Sequence, residues 1–193
     1  MQEPDRAEII NRLKLIEEMM TEGRRTTQRW GWMFLLWGIG PLAGMWWESN
    51  LPRPELSWPV VLAICVIVNG AVIRRRKRFG EAQTMAMRSL GAIWAATGVT
   101  VLLIALGAAL FGQETRSFYI VLFALAAVAH CASSVVLRWL PQFLAAVVWW
   151  VAGLCAFILP TTRLRMLSAA ALFLGNVVFG AWLAWREWRH KDE

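Results

Sequence analysis

The residues of this sequence best placed to do chemistry are a histidine and two serines inside an apolar stretch. His130 is followed by Ser133 and Ser134, so the three share one face if the stretch is helical. A Ser–His pair suggests nucleophilic catalysis, which requires the base to reach the hydroxyl and a group to stabilise the oxyanion. On one helix, these side chains instead hydrogen-bond to each other or to the preceding turn. We therefore expect no catalytic residues and no enzyme.

Other polar side chains also fall inside apolar stretches, where polar groups are costly and mark candidate functional positions. They are Asn69, Thr97, Thr100 and Asn176. The two asparagines are expected to hydrogen-bond across helices, which contributes about 0.6–2 kcal/mol in membranes. In the alternative interpretation, Asn69, His130 and Asn176 converge on the polar pathway of a small passive transporter or channel. The absence of a carboxylate from these stretches of sequence argues against coupling to protons or sodium.

The three cysteines show neither disulfide spacing nor metal-ligand spacing, so we expect them to be small packing residues. They are Cys65, Cys131 and Cys155. No metal or other cofactor is predicted from the sequence.

Membrane-spanning helices must position these residues. The chain has 193 residues, of which 58% are hydrophobic and 17% charged, whereas soluble domains are about 45–50% apolar and about 25% charged. A helix needs about 20 apolar residues to cross a bilayer core of about 30 Å. The six stretches that qualify are approximately Trp30–Trp47, Leu56–Ile73, Leu90–Phe111, Ser117–Leu137, Pro141–Leu159 and Leu164–Trp185. We predict an all-α integral membrane bundle of six transmembrane helices.

Two patterns suggest how the six spans pack. The break at 138–140 is the shortest, so the fourth and fifth spans should form a close hairpin. The odd spans repeat a Trp followed by small residues, at Trp37, Trp94 and Trp150, which suggests three tandem helical hairpins. Gly40 and Gly44 form a Gly-x-x-x-Gly pair, which is expected to bring backbones close within the bundle.

The basic residues predict the orientation of the chain. With a cytoplasmic N-terminus, sixteen of the twenty Lys and Arg lie on the cytoplasmic side, so both termini should be cytoplasmic. The domains are then a cytoplasmic amphipathic helix (1–29), a six-helix transmembrane domain (30–185) and a cytoplasmic tail (186–193), in a bacterial inner membrane.

A basic run marks the end of the second span and consists of Arg74, Arg75, Arg76, Lys77 and Arg78. It fixes topology and attracts anionic lipid headgroups. Without interleaved aromatic residues, it does not indicate direct nucleic-acid binding.

The N-terminal segment has an apolar stripe at helical spacing. Its central members are Ile9, Leu13, Ile16 and Met20. The stripe can cover the membrane surface, the bundle's own loops, a second copy of the chain or another protein. Acidic and basic residues balance through residue 29, which favours a protein contact, within a homo-oligomer or with a soluble partner, over a lipid surface.

A resemblance to a family follows from two adjacent motifs. Leu15-Ile16-Glu17-Glu18-Met19-Met20 precedes Gly31-Trp32-Met33-Phe34-Leu35-Leu36-Trp37-Gly38. This stretch of about thirty residues resembles the opening of a group of uncharacterised bacterial multi-span membrane proteins. In these, a Leu-x-x-Ile-x-x-Met helix leads into Gly-x-x-Phe-Leu-x-Trp-Gly at the first span. The resemblance implies a small bundle, often encoded beside a winged-helix DNA-binding regulator, and implies no catalytic residues.

From the sequence we therefore expect a non-enzymatic scaffold or signalling component of the membrane. It would engage a cytoplasmic partner, such as a transcriptional regulator, through the N-terminal helix. A small passive transporter or channel is the alternative.

Overall fold

The described part of the chain is all-α. The computed structural model describes residues 8, 10–12, 14–15, 31–78, 85–112 and 114–189, and no strand occurs among them. The elements are α1 (Gly31–Asn50), a short 3-10 helix (Pro54–Leu56), α2 (Ser57–Arg78), α3 (Met85–Phe111), α4 (Thr115–Leu137), α5 (Leu140–Ile158), α6 (Thr161–Leu172), a π-helical segment (Phe173–Val178) and α7 (Phe179–Arg189). The last three are continuous, and together they form what we call the last span.

Five of the described helices are long and apolar enough to cross a membrane, which fits a multi-pass membrane protein. They cover Pro54–Arg75, Met85–Ala108, Thr115–Leu137, Leu140–Ile158 and Thr161–Arg186. Helix α1 has 20 residues but is not among them. Its four glycines and four tryptophans stand where the other spans carry mostly aliphatic side chains. The sixth span therefore stays a prediction.

The centre of the bundle is formed by α1, α4, α5 and the last span. Helices α4 and α5 form the predicted close hairpin, in which Arg138 adopts a left-handed conformation with φ of 46°. One hydrophobic cluster joins α4, α5 and α6 around Phe123 and Trp149. A second joins α1, α5 and α7 around Phe34 and Phe179. Helices α2 and α3 lie at the periphery, where α2 packs chiefly on α1 and α3 chiefly on α4.

Helix α1 runs antiparallel to the last span along its length. Gly31 lies against Gly180, and Gly38 lies against Asn176 and Val177. At the other end, Arg165 donates a hydrogen bond to the carbonyl oxygen of Met45. Glycine permits the first two contacts, because a Cβ on Gly31 would come within 2.9 Å of the Gly180 carbonyl oxygen.

Two predictions about organisation remain untested. The most extensive helix contact joins α4 to α5, which belong to different members of the predicted set of tandem hairpins, so the repeat stays a prediction. The described N-terminal residues 8, 10–12 and 14–15 are helical, and Arg12 pairs with Glu8 at 2.5 Å. The domain boundaries expected after residues 29 and 185 also stay a prediction.

Candidate functional site

Three buried polar side chains come together in the interior of the bundle, and with the buried Ser133, one helical turn from His130, we call them the polar centre. Helix α4 supplies His130 and Ser133, α5 supplies Gln142, and the π-helical segment supplies Asn176. Their exposed fractions are 1% for the first three and 8% for Asn176. The Asn176 side chain lies close to the His130 ring. Polar groups buried this deeply need hydrogen-bond partners, because a lipid-surrounded bundle offers no bulk water.

The strongest contact within the polar centre joins α4 to α5. Gln142 Nε2 lies 3.0 Å from His130 Nδ1. When the amide donates, Nδ1 accepts, and a neutral imidazole then carries its proton on Nε2. Sequence reasoning missed Gln142 because it is the third residue of α5, next to Pro141 and the break between spans. The signal available was its position twelve residues after His130, across a hairpin that was predicted to be tight.

Aromatic rings from three other elements enclose the His130 imidazole. Phe34 of α1 stacks on it at 5.6 Å between ring centroids, and Trp94 of α3 meets it edge-on at 4.9 Å. Phe179 of α7 approaches edge-on at 6.2 Å. Edge-to-face aromatic pairs at such distances are favourable. Among the described elements, α1, α3, α5, the π-helical segment and α7 each contribute a side chain to the surroundings of His130 on α4.

The Asn176 amide completes a hydrogen bond that α1 cannot make by itself. Pro41 lies inside α1 and has no N–H, so the carbonyl of Trp37, four residues earlier, lacks its helical donor. Asn176 Nδ2 donates to this Trp37 oxygen over a long 3.4 Å. In membranes, a neighbouring helix commonly satisfies a backbone group that a proline has released. Asn176 thus bonds across helices, as expected from the sequence.

Each member of the polar centre also carries an atom without a hydrogen-bond partner among the described residues. These atoms are His130 Nε2, Ser133 Oγ, Gln142 Oε1 and Asn176 Oδ1. Leaving a buried polar group unpaired costs about 1–3 kcal/mol. With a proton on Nε2, the set offers one ring donor, two amide acceptors and a hydroxyl, all uncharged.

The remaining polar residues singled out from the sequence lie apart from this arrangement. Ser134 Oγ donates to the Cys131 carbonyl at 2.7 Å, within its own helix. Thr97 Oγ1 donates in the same way to the Ile93 carbonyl at 2.8 Å, and Thr100 does so to Ala96. Asn69 belongs to α2, which packs chiefly on α1 and not on α4 or α5, and its Oδ1 has no hydrogen-bond partner among the described residues, unlike the cross-helix bond expected from the sequence. The structure therefore brings His130 and Asn176 together, with Ser133 one turn from the histidine on α4, but leaves Asn69 apart.

Two arginines near the predicted outer loops make specific contacts. Arg165 pairs with Glu48 at 3.3 Å and also binds the end of α1 through the Met45 carbonyl. Arg116 donates to the carbonyl oxygens of Ala156 and Phe157 at 2.7 and 3.0 Å. These carbonyls lie at the end of α5, where helix carbonyls lack helical partners and attract cations.

The predicted partner and headgroup residues are described only in part. Ile9, Leu13, Ile16 and Met20 lie outside the described residues, but their neighbours Ile10 and Leu15 are 57% and 56% exposed. Arg74 and Arg75 are exposed at the end of α2, whereas the side chains of Arg76, Lys77 and Arg78 lie outside the description. Cys65 is buried against Gly40, and it is free, as are Cys131 and Cys155.

Within the described ranges, no group of three or more His, Cys, Asp or Glu side chains is placed to hold a metal ion. No protein family matches this chain, and neither a similar curated protein nor a similar solved structure is found.

Proposed function

We propose that the protein is a non-enzymatic multi-pass membrane component that engages a soluble cytoplasmic partner through its N-terminal helical segment. One observation carries this proposal: Ile10 and Leu15 are both helical, and more than half of each side chain is exposed. Exposed apolar side chains on an amphipathic helix are a common means of docking into a groove on a partner. The resemblance over about thirty residues between 9 and 40 favours a transcriptional regulator as that partner.

In this proposal the polar centre holds the bundle together. The His130–Gln142 contact joins α4 to α5, and the Asn176–Trp37 contact joins the last span to α1. Such contacts contribute about 0.6–2 kcal/mol each in membranes. The bundle is then a rigid platform, and signalling or scaffolding takes place at its cytoplasmic end.

The proposal includes six spans, with both termini in the cytoplasm of a bacterium and the bundle in its inner membrane. Its structural support is the antiparallel course of α1 along the last span, from Gly31 beside Gly180 to Met45 beside Arg165. A helix that lies beside an apolar, membrane-length helix over this distance supports a sixth span through the same bilayer. The positions of Arg74 and Arg75 support the orientation.

Co-purification tests the partner contact. The full-length protein, extracted in mild detergent from its own host, should retain a soluble protein in a fixed molar ratio. Ile10→Glu and Leu15→Glu should each lose that protein, because a charge opposes burial of the helix face. Ile16→Glu and Met20→Glu test the rest of the stripe in the same way. Lys14→Gln, an exposed polar position on the same segment, is the matched control.

Retention of the partner by all four glutamate variants would refute the proposal. So would a wild-type protein that purifies with a second copy of itself and loses it in these variants, because the stripe would then serve dimer contact. Binding of a peptide of residues 1–29 to anionic vesicles, with no protein partner, would assign the stripe to the membrane surface.

A passive pathway for a small uncharged solute is the second candidate, and the four unpaired atoms of the polar centre favour it. Proteoliposomes mixed with urea or glycerol would swell faster than protein-free vesicles, and a His130→Leu/Gln142→Leu variant would lose that flux. Ser134→Ala, whose hydroxyl bonds to its own helix, is the control. Equal rates with and without wild-type protein for both solutes would exclude this candidate for them.

A further inference from the structure

An apolar groove of about 440 Å³ lies between α1 and α2, and none of its lining residues belongs to the polar centre. Its volume falls within the range of about 300–1,000 Å³ that is usual for small-molecule sites. The walls include Ile39, Gly40 and Ala43 from α1 and Val61, Ile64 and Cys65 from α2. Gly40 shapes the floor, because a Cβ at this position would overlap the Cys65 sulfur.

The groove opens outward from the bundle. Ile39 and Ile64 stand on opposite walls, and each is 53% exposed, whereas Val61 and Cys65 at the floor are buried. Helix α2 packs chiefly on α1, so a large part of its surface has no neighbour among the described elements. The walls offer almost no polar surface, so water would find no hydrogen-bond partners in the groove. An apolar chain is the occupant that this lining accepts.

A positive charge lies at the end of α2 toward which the groove extends. Arg74 and Arg75 are exposed at the end of α2, nine and ten residues beyond Cys65, or about 13–15 Å at 1.5 Å per residue. This is roughly half of a 30 Å hydrocarbon core. The Cys65 thiol donates to the Leu36 carbonyl, so these two residues lie side by side. Trp32 lines the groove one turn nearer the start of α1, which runs antiparallel to α2. The groove therefore extends toward the end of α2 that carries Arg74 and Arg75.

From these observations we propose that the groove between α1 and α2 binds one acyl chain of an anionic phospholipid, with its headgroup at Arg74 and Arg75. The groove supplies apolar contact for the chain, and the two guanidinium groups supply charge complementarity for the phosphate. A zwitterionic lipid with the same chains gains the first contribution but little of the second. The site is therefore selective for headgroup charge, and it is independent of the N-terminal partner contact.

Native mass spectrometry of the full-length protein tests this site. Detergent-purified protein is incubated with phosphatidylglycerol or with phosphatidylcholine of identical chains, and the retained lipid is counted. At about 1 kcal/mol per basic residue, the two arginines predict a preference of about 30-fold for phosphatidylglycerol. The Arg74→Gln/Arg75→Gln double variant should bind both lipids about equally.

Two substitutions fill the groove from opposite walls, so that the test does not depend on the folding of one variant. Ala43→Phe on α1 and Ile64→Trp on α2 should each lower phosphatidylglycerol retention by about tenfold, because they displace about two methylenes of the chain. Ala95→Phe is the matched control, since Ala95 is an exposed alanine of α3 outside the groove. Monodisperse elution identifies the folded variants.

Three results would overturn the assignment. The first is equal retention of both lipids by the wild-type protein. The second is undiminished phosphatidylglycerol retention by a folded groove-filling variant. The third is a lipid-free dimer that dissociates in Ala43→Phe, because the groove would then be occupied by a second copy of the chain. Loss of the cytoplasmic partner in the Leu15→Glu variant, with lipid retention intact, leaves the lipid site standing.

Discussion

At the scale of single residues, the contact between His130 and Gln142 is the most consequential pair in the membrane interior. The ring is fully buried, and its Nδ1 atom finds its partner 3.0 Å away on the neighbouring helix. Ser133 and Ser134 lie on the same helix as the histidine, and Ser134 bonds to its own backbone. The histidine is therefore best described as a contact between α4 and α5.

This description predicts a specific mutational pattern. Gln142→Leu leaves His130 Nδ1 buried without a partner, so it should lower the free energy of unfolding by about 1–3 kcal/mol. Replacing both partners by apolar residues removes the unpaired group, so His130→Leu/Gln142→Leu should be more stable than Gln142→Leu alone. Reversible unfolding in mixed micelles with increasing dodecyl sulfate measures both.

Ser134→Ala serves as the control in this series, because the lost hydroxyl bonds only within α4. A Gln142→Leu variant as stable as the wild type would contradict the assigned contact.

The polar centre could be predicted from the sequence only in part. His130, Ser133 and Asn176 stand out because each interrupts a long apolar run, where burial of a polar side chain costs free energy. Gln142 does not stand out, because it follows Pro141 at a break, where polar residues are ordinary. The aromatic rings around His130 come from α1, α3 and α7, and the angle between distant helices is not encoded in any local pattern.

At the scale of elements, the proline in α1 and the π-helical segment of the last span act together. The proline removes the donor for the Trp37 carbonyl, and the π-helical segment presents Asn176, whose amide replaces it. Single π-helical turns within α-helices are often found at functional positions. The apolar runs predicted the spans to within a few residues at most ends. The π-helical segment has no such signature and was not predicted.

A double-mutant cycle tests this pairing of elements. In the wild type, Asn176→Leu should cost about 0.6–1.7 kcal/mol of unfolding free energy, the range for hydrogen bonds in membrane interiors. Pro41→Ala gives the Trp37 carbonyl a helical donor, so Asn176→Leu should cost less in that background. Thr100→Val is the control, since its hydroxyl bonds to its own helix. Additive costs would show that the two positions are not coupled.

The close approach of α1 and α7 gives a second prediction at the scale of whole helices. A Cβ on Gly180 would lie 2.8 Å from the Gly31 oxygen and 2.9 Å from the Leu35 nitrogen, both of them backbone atoms that cannot turn aside. Gly180→Ala should therefore cost about 1–3 kcal/mol through overpacking. Gly98→Ala in α3 meets no atom within 4 Å, so it should be neutral or stabilising by up to about 1 kcal/mol. Thermal unfolding of the two variants measures the difference, and equal effects would refute the close contact.

At the scale of the whole molecule, the course of α1 determines the topology. Five helices are apolar enough to cross the membrane, and α1 differs from them in its content of Gly and Trp. Those glycines are the residues that let α1 approach the last span closely at Gly31 and Gly38. The composition that lowers the hydropathy of α1 is thus also what allows it to pack inside the bundle. Six spans place the two termini on the same side of the membrane, whereas five would place them on opposite sides.

Reporter fusions distinguish these two topologies. A fluorescent protein that folds only in the cytoplasm should fluoresce when fused before residue 1 and also when fused after residue 193. Alkaline phosphatase, active only outside the cytoplasm, should be active when inserted at Arg53, in the connection between α1 and α2. Active phosphatase at Arg53 together with both fluorescent termini requires six spans. Fluorescence at one terminus only would establish five, with α1 lying on one side of the bilayer.

The basic residues at the end of α2 are expected to fix this orientation, so charge variants extend the same experiment. Changing Arg74 through Arg78 to glutamine removes five of the sixteen positive charges predicted to be cytoplasmic, and a fraction of the chains should then insert inverted. Arg163→Gln is the control, because it removes a charge on the predicted outer side and should leave the orientation unchanged. Arg165 is unsuitable as a control because it pairs with Glu48. Unaltered reporter activities in the five-glutamine variant would show that the orientation is set elsewhere in the chain.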